Sequence, residues 1–552
     1  MCKGRGTNEV GGGIVDGKLE YNLLRWENHK LLKEKTMNNI FFSSMLVLIA
    51  INIFFYLSAN IHTFQLNHYK YDAQIRWIGR NIIKIILQSI LYIILAFGLV
   101  LENYIYIPLS IALILIAIFI NIPKKAKKPL VYTARVKRLI ITAYILLAIV
   151  LLITWNKETI LITAYAISAL TPAFILIVDL INKPINGLIN RKYVNEAKKI
   201  IDEMPNLTVI GVTGSYGKTS TKNFLYKLLS SKYDVLMTPK NYNTTLGVTM
   251  TIRNELKATH EIFICEMGAT RRNDIKEICD IVKPKYGVVT SVGPQHLESF
   301  KSIENVTKTK FELVDSLPED GIAFLNYDNN YIKGNKISKK KVAYGIEKGK
   351  NKDYLAYDIS ATDKGLSFKM KDEKGEEFTF NTKVLGKHNI VNIAGCIAVA
   401  SQLDIPMKTL VQRVKLIEPV EHRQQLIESG PDLIIDDAYN SNPSGAESAL
   451  ETLGMFEGEK ILITPGMIEL GDKQYDCNFE FGKQATKVCD YIILVGKKQT
   501  KPIYDGIMAK KYNKNKVEVV EDVKEAIRIA RNLKTGKKRR VILLENDLPD
   551  NY

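Results

Sequence analysis

The chain is poor in the residues that would build covalent or cysteine-based metal sites. Its six cysteines in 552 residues form no C-x-x-C pair, which excludes a disulfide framework and a cysteine zinc site. Cys2, Cys265, Cys279, Cys396, Cys477 and Cys489 sit mostly in apolar or helical surroundings and read as reduced core residues. There is no internal repeat and no long low-complexity tract. No short apolar segment followed by a small-residue cleavage site occurs near the start, so a signal peptide is not expected. Acidic residues are the scarcer charge, 58 against 76 Lys and Arg, and the net charge is +18. The excess is spread along the chain without an aromatic-interleaved basic stripe, which argues against a nucleic-acid partner and for anionic membrane lipids.

What is abundant is apolar sequence in the first third. Ile40 to Ala59, Ile85 to Leu101, Ile105 to Ile122, Leu139 to Trp155 and Ile160 to Ile181 each approach the ~20 residues that cross a bilayer. The expectation is five transmembrane helices, with Pro172 kinking the fifth and Asp179 lying at the interface. Lys124, Lys125, Lys127, Lys128, Arg135, Lys137 and Arg138 fall between the third and fourth spans, and that basic loop is assigned to the cytoplasm. Counting forward places everything after the fifth span in the cytoplasm, where Lys183, Arg191, Lys192, Lys198 and Lys199 follow. The localisation implied is an integral, multi-pass membrane protein with cytoplasmic catalytic domains. Residues 1–38 form a polar, glycine-rich tail that opposes the charge rule mildly, and Met37 offers a second start.

The stretch VIGVTGSYGKTSTKNFLYKLL runs from an apolar strand into a glycine loop and then a helix. Glycines let backbone N–H groups close around phosphate oxygens, and the helix N-terminus adds its positive end. Gly214, Ser215, Tyr216, Gly217, Lys218, Thr219 and Ser220 are the expected nucleotide-binding residues, with Lys218 as a point charge and the Thr219 hydroxyl facing Mg²⁺. The spacing is G-x-x-G-x-x-G-K-T, with Val212 at the first-glycine position of the commoner pattern. A ligand-free strand-to-helix turn is the plain alternative.

Beyond residue 196, strand-like runs alternate with helical ones: Thr208 to Val212, Glu261 to Cys265, Gly287 to Thr290, Leu433 to Asp436, Lys460 to Thr464, Tyr491 to Val495 and Val541 to Leu544. The fold class expected is α/β: N-terminal transmembrane helices, a P-loop ATPase-type central domain on a parallel sheet, and a Rossmann-like C-terminal domain. The boundaries expected are a tail to 38, a membrane domain over 39–195, a central domain over 196–416 and a C-terminal domain over 417–552. Ala356 to Thr382 alternates polar and apolar residues and predicts inserted antiparallel hairpins.

Three polar residues follow these strands. Glu266 ends EIFIC and suits Mg²⁺; His296 follows GVVTSVGPQ; Lys310 falls on the next helix. Singly they read as a helix-start charge, a loop histidine and a surface lysine. Together with GVTGSYGKT, TPKNYNTTLGV, EMGA, HLESFKSIENVTKTKFEL, LPEDGIAFLNYDN, GKHNIVNIAGCIAVA, IDDAYNSNPSG and MIELG, they make residues 205 to 482 resemble the Mur ligase family, and within it the branch that adds D-alanyl-D-alanine. The resemblance implies ATP-dependent, ADP-forming amide synthesis in peptidoglycan precursor assembly, with ATP and Mg²⁺ as cofactors. It implies phosphate binding by Lys218, metal contacts from Thr219, Glu266 and His296, and a carbamylated, metal-facing Lys310. Asn241 and Asn243 match a segment near the reacting groups, Asn389 and Asn392 the adenine-contacting segment, and Arg423 with Asp436 the pair linking the C-terminal domain to the nucleotide. A C-terminal domain closing on the nucleotide is part of the same expectation.

Departures from the family pattern are specific. Membrane helices stand where those ligases begin with a UDP-sugar domain, Asn478 replaces a histidine, and LLENDLPDNY with Glu545, Asp547 and Asp550 replaces a basic segment. The partners expected are a small-molecule or lipid-linked cell-wall precursor and an amino acid or dipeptide amine. Two alternatives remain: ligation of another amino acid, such as glutamate, to a different carboxylate, and a non-catalytic ATP-binding membrane scaffold.

Overall fold

The computed structural model describes residues 13–67, 69–100, 106–122, 129–154, 157–295, 297–346, 352–372, 374–439, 441–468, 470–536 and 538–547. Two compact units divide at Leu188 and Ile189. The helix Lys157–Asp202 carries the chain across that division and continues through both Pro172 and Pro184.

In the first unit, Asn39–Leu66, Ala134–Ile153 and Ile162–Asp202 are long and apolar enough to cross a membrane. Among the described residues, the second expected span lies on helix Ile82–Val100 and the third on helix Tyr106–Asn121. Tyr71–Arg80 and Ile82–Ile94 meet at 76°, and Leu109–Asn121 is shorter than a full span. The bend has a local cause. Tyr71–Arg80 is amphipathic, with Asp72, Arg76 and Arg80, and its chain turns at Asn81, whose N–H closes onto the last carbonyls. The first helix begins at Gly13, so much of the expected tail is helical. Arg135, Lys137 and Arg138, expected in a loop, lie in helix Ala134–Ile153, which Thr133 caps by accepting the Val136 N–H. Lys124, Lys125, Lys127 and Lys128 lie outside the described residues. Asp179 is packed inside the protein, 2% exposed and ion-paired to Arg135 at 3.0 Å. Asn52, Gln88, Tyr92 and Asn121 form a buried hydrogen-bonded network among the apolar helices, which satisfies their polar groups where no water is at hand.

The second unit holds three sheets. Seven parallel strands follow the order β2-β3-β1-β4-β5-β6-β7. These are β1 (Thr208–Thr213), β2 (Val235–Met237), β3 (Ile262–Glu266), β4 (Tyr286–Val289), β5 (Ile322–Asn326), β6 (Lys340–Gly345) and β7 (Tyr354–Leu355). β1, β3 and β4 are buried on both faces, as near-continuous Val and Ile runs require. The chain passes from β3 on one side of β1 to β4 on the other, which opens a crevice at the carboxyl end of β1. Helices Lys218–Leu229 and His388–Gln402 pack on one face through Phe224, Leu225, Ile393 and Ile397. Helix Ile303–Asp315 packs on the other face through Leu313 and Phe311.

The expected hairpins form a separate antiparallel sheet of β8 (Tyr357–Thr362), β9 (Gly365–Lys371) and β10 (Glu377–Thr382), with Phe368 stacked on Phe380. The C-terminal sheet has the order β11-β12-β16-β13-β14-β15. Its strands are β11 (Gln425–Ser429), β12 (Asp432–Asp437), β13 (Glu459–Thr464), β14 (Tyr491–Val495), β15 (Val517–Val520) and β16 (Arg540–Glu545), all parallel except β11. Cys265, Cys279, Cys396 and Cys489 are buried free thiols, and Cys477 is half-buried.

Candidate active site

The glycine loop is shaped by backbone that only glycine adopts cheaply. Gly214 has φ +153° and Gly217 φ +81°; a Cβ on the first would collide with Thr290 Oγ1, and one on the second would lie 2.8 Å from Asn392 Oδ1. Residues after β4 lace the loop in place. Ser215 N–H donates to the Ser291 carbonyl at 2.7 Å, Tyr216 N–H to Ser291 Oγ at 2.9 Å, and Tyr216 OH to the Pro294 carbonyl at 2.9 Å. The Ser215 hydroxyl donates to the Gly293 carbonyl at 3.1 Å. Ser220 is buried in the first turn of helix Lys218–Leu229. The Lys218 ammonium curls over its own loop, donating to the carbonyls of Gly214 at 2.7 Å and Ser215 at 3.1 Å.

Glu266, at the carboxyl end of β3, is 2% exposed and gathers the other polar groups. Its Oε1 accepts from Thr219 Oγ1 at 3.2 Å and Asn243 Nδ2 at 3.0 Å. Its Oε2 lies 3.0 Å from Lys222 Nζ as an ion pair but receives no well-directed hydrogen bond. Burial pushes this carboxyl up, and Lys222, Lys218 and Asn243 outweigh burial and hold it below its ordinary value. Lys222 is itself 1% exposed and donates to the Lys240 carbonyl at 2.7 Å. Lys222 was passed over in the sequence reading; its position four residues after Lys218, one helical turn on, is a signal that could have found it. Asn241 is exposed and enters through its backbone, its carbonyl accepting the Asn243 N–H at 2.8 Å.

Lys310 is 2% exposed on helix Ile303–Asp315, with no hydrogen bond or ion pair among the described residues. Burial, reinforced by the charge of Lys218, drives its ammonium well below the usual lysine range. Burial first, then Arg423, lowers Lys218 to about 8 against the opposing pull of Glu266. The charge of Lys218 thus acts on Lys310, and that of Arg423 on Lys218, side chains from three separate segments. His296 lies outside the described residues.

Arg423 and Asp436 do not contact one another. Its guanidinium stacks 4.3 Å over the Tyr439 ring and is stabilised by Asp437, whereas Asp436 accepts from the His422 ring at 2.7 Å and from the Ala438 N–H at 3.2 Å. Successive strand residues face opposite sides, so a one-residue step in the Asp-Asp pair of β12 exchanges the carboxylate Arg423 meets. Burial raises Asp437 to about 6 despite Arg423. Asn389 donates to the Leu385 carbonyl at 2.7 Å and accepts from Asn392 at 3.3 Å, which seats both asparagines beside the glycine loop. At the end of β16, Glu545 is buried, accepts from Thr464 Oγ1 at 2.8 Å and bonds Ser441; burial raises it to about 7. Asn478 takes the Met467 N–H at 2.8 Å and donates to the Met467 carbonyl at 3.0 Å, a structural use of that position.

A glycine loop at a sheet switch point, backed by a strand-end glutamate and faced by a second α/β domain, defines a nucleotide-binding ligase fold. Residues 212–400 match the Mur ligase middle domain and residues 422–544 the Mur ligase glutamate ligase domain; together they cover more than half of the chain, which belongs to the Mur ligase family. It is 32% identical over 289 residues to the UDP-N-acetylmuramoyl-tripeptide–D-alanyl-D-alanine ligase of Bacillus subtilis, covering 52% of this chain and 62% of that protein. The ligase of the same name from Escherichia coli is 30% identical over 295 residues, covering 52% and 64%. The chain therefore spans less than two thirds of the length of these relatives. The solved structure of MurF ligase from Thermotoga maritima in complex with ADP superposes with TM-score 0.57 at 27% identity, covering 65% of this chain and 80% of that one.

Proposed function

We propose that this chain is an ATP-dependent, ADP-forming amide ligase of cell-wall peptidoglycan precursor synthesis, anchored in the membrane with its catalytic domains on the cytoplasmic side. The observation that carries the reading is the placement of Lys218 and Arg423 around a glycine loop beside buried Glu266. Such a cluster stabilises a polyanion, which a transferring γ-phosphate is. Three helices long enough to span and the basic residues from Lys183 to Lys199 support the location.

In this reading the glycine loop holds the phosphates and Lys218 swings from its own carbonyls onto them. An acceptor carboxylate oxygen attacks the γ-phosphorus and ADP leaves. The donor amine then attacks the acyl carbon, expels phosphate and loses a proton. Arg423 from the C-terminal domain screens the growing charge, and closure of that domain keeps water from the acyl phosphate. Asn389 and Asn392 are assigned to the adenine edge.

The residues present fit Mg²⁺: Glu266 Oε2 is a buried carboxylate oxygen without a hydrogen bond, and the Thr219 hydroxyl lies beside the same carboxylate. No cluster of three His, Cys, Asp or Glu occurs among the described residues, so nucleotide oxygens, His296 and a carbamylated Lys310 are assigned the remaining contacts. When bound, Mg²⁺ neutralises phosphate charge. Lowering the lysine ammonium favours the neutral amine, the form that captures CO₂, and a carbamate on Lys310 would place an anion there.

Glu545 favours a second reading of the donor. A buried carboxyl near Asp437 disfavours an incoming free carboxylate, so an amine donor other than D-alanyl-D-alanine fits this end of the sheet. ADP release by detergent-solubilised protein, measured across amine donors with UDP-linked and lipid-linked acceptors and with products weighed by mass, tests both readings. Donor-dependent ADP release that Lys218→Ala abolishes is expected. Nucleotide binding without turnover under every pair would leave the scaffold alternative in its place.

A further inference from the structure

The apolar helices hold a cluster of buried donors that lack acceptors. Arg135 and Arg138 sit one turn apart near the start of helix Ala134–Ile153, and Asp179, Asn182 and Asn186 share a face of helix Lys157–Asp202. Asp179 is consumed by Arg135 Nη2 at 3.0 Å and by Tyr71 OH at 3.0 Å. The Arg135 guanidinium also lies 4.0 Å over the Tyr69 ring. Arg138 has no carboxylate: Nη2 donates to Asn186 Oδ1 at 2.7 Å, and it has no ion pair among the described residues. Asn182 is occupied by the Val178 carbonyl at 2.9 Å and by Thr142 Oγ1 at 3.4 Å. Three N–H donors remain buried without a partner: Arg135 Nε, Arg138 Nε and Asn186 Nδ2. Asn186 as a residue is only 8% exposed.

Buried donors without acceptors are costly, and more so where no water reaches. Two arginines face one aspartate, which leaves one cation over. A phosphoryl group supplies both remedies, because its terminal oxygens accept several N–H bonds and its charge offsets Arg138. The cluster lies at the N-terminal end of an apolar helix, the depth at which headgroup phosphates lie in a bilayer. Exposed Lys137 and Lys183 flank it, and Lys183 Nζ lies 5.9 Å from the Tyr71 ring centre.

We propose that Arg135, Arg138 and Asn186 form a binding site for a phosphate group at the membrane surface, carried by a lipid headgroup. The proposal rests on the membrane-spanning reading above and is independent of the ligase chemistry. Its site would hold a lipid phosphate through the guanidinium groups and the Asn186 amide, with Asp179 keeping Arg135 in place.

The test is binding of short-chain phosphatidic acid to the full chain in detergent by native mass spectrometry, with phosphatidylcholine and inorganic phosphate as comparison probes. Arg138→Gln is expected to weaken phosphatidic acid binding by at least about tenfold, and Asn186→Leu by several-fold, while Lys84→Gln on another exposed helix face leaves it unchanged. Displacement by excess inorganic phosphate would assign recognition to the phosphate alone; failure to displace would assign it to the lipid-borne group. Equal binding by wild type, Arg138→Gln and Asn186→Leu overturns the site, as does no binding of either phosphate probe. Asn186→Leu removes no charge and serves if Arg138→Gln does not insert. Release of wild type from membranes by alkaline carbonate would sink the spanning reading separately, since the detergent measurement still judges the cluster.

Discussion

Replacing Lys222 by Met removes a buried cation and leaves its partner behind. Lys222 and Glu266 are 1% and 2% exposed, so solvent screens the pair little, and the Lys240 carbonyl loses its donor as well. Breaking a buried pair from one side costs roughly 3–5 kcal/mol, which for a domain of this size lowers the unfolding midpoint by about 10 °C. The three tryptophans all lie in the first third of the chain, so calorimetry or far-ultraviolet circular dichroism is the assay that sees the right unit. The sign with pH follows from Glu266. Its carboxyl is held below its ordinary 4.5, so the pair contributes fully above that value and is lost as pH falls through the lowered one. In Lys222→Met the cation is gone and burial raises the carboxyl, so the deficit is largest near neutrality and shrinks toward about pH 4.5. Adding Glu266→Gln should restore most of the loss through a favourable coupling. A Lys222→Met midpoint within about 2 °C of wild type at neutral pH, or a double variant no better than the single, would refute the reasoning.

Lys310→Ala should lower ADP release by at least about 100-fold, with partial recovery on adding short carboxylates, and full activity would remove Lys310 from the site. Wild type should likewise lose activity in CO₂-depleted buffer and regain it with bicarbonate. Gly214→Ala places a Cβ against Thr290 Oγ1 at φ +153°, and nucleotide affinity by titration calorimetry should fall by at least about tenfold; retained affinity would mean the loop re-forms. Glu545 is raised from 4.5 to about 7 by burial, so the folded state binds its proton more tightly and stability falls as pH rises through that window. Glu545→Gln should therefore raise the unfolding midpoint at pH 8 and change it little at pH 4.5, and an equal effect at both would contradict the assignment.

The glycine loop was legible because its determinants are local: strand, glycines, Lys218, Thr219 and helix follow one another within 22 residues, Thr208 to Leu229. Seven strand runs were read correctly to within a residue or two because apolar β-rich stretches bounded by turns carry their own signal. The membrane region was read less well. The second expected span lies on the continuous helix Ile82–Val100, while the charged, amphipathic helix Tyr71–Arg80 that precedes it and meets it at a bend was not foreseen. Arg135 and Arg138 looked like loop cations because a basic run precedes them, yet Thr133 starts the helix before both.

By itself the sequence determined the elements, the loop and the order of polar residues behind it, since each is set by neighbours within a few positions. Only the tertiary structure decided who meets whom. Glu266 finds Thr219 and Lys222 because β3 lies beside β1 in the sheet, a pairing of segments more than forty residues apart. The charge of Asp437 acts on Arg423 while Asp436 meets His422, because β12 presents alternate residues to opposite faces. Arg138 is left without a carboxylate because Arg135 already holds Asp179. Charge, hydrogen bonding and burial act through contact distance, and contact distance between remote segments is what folding supplies.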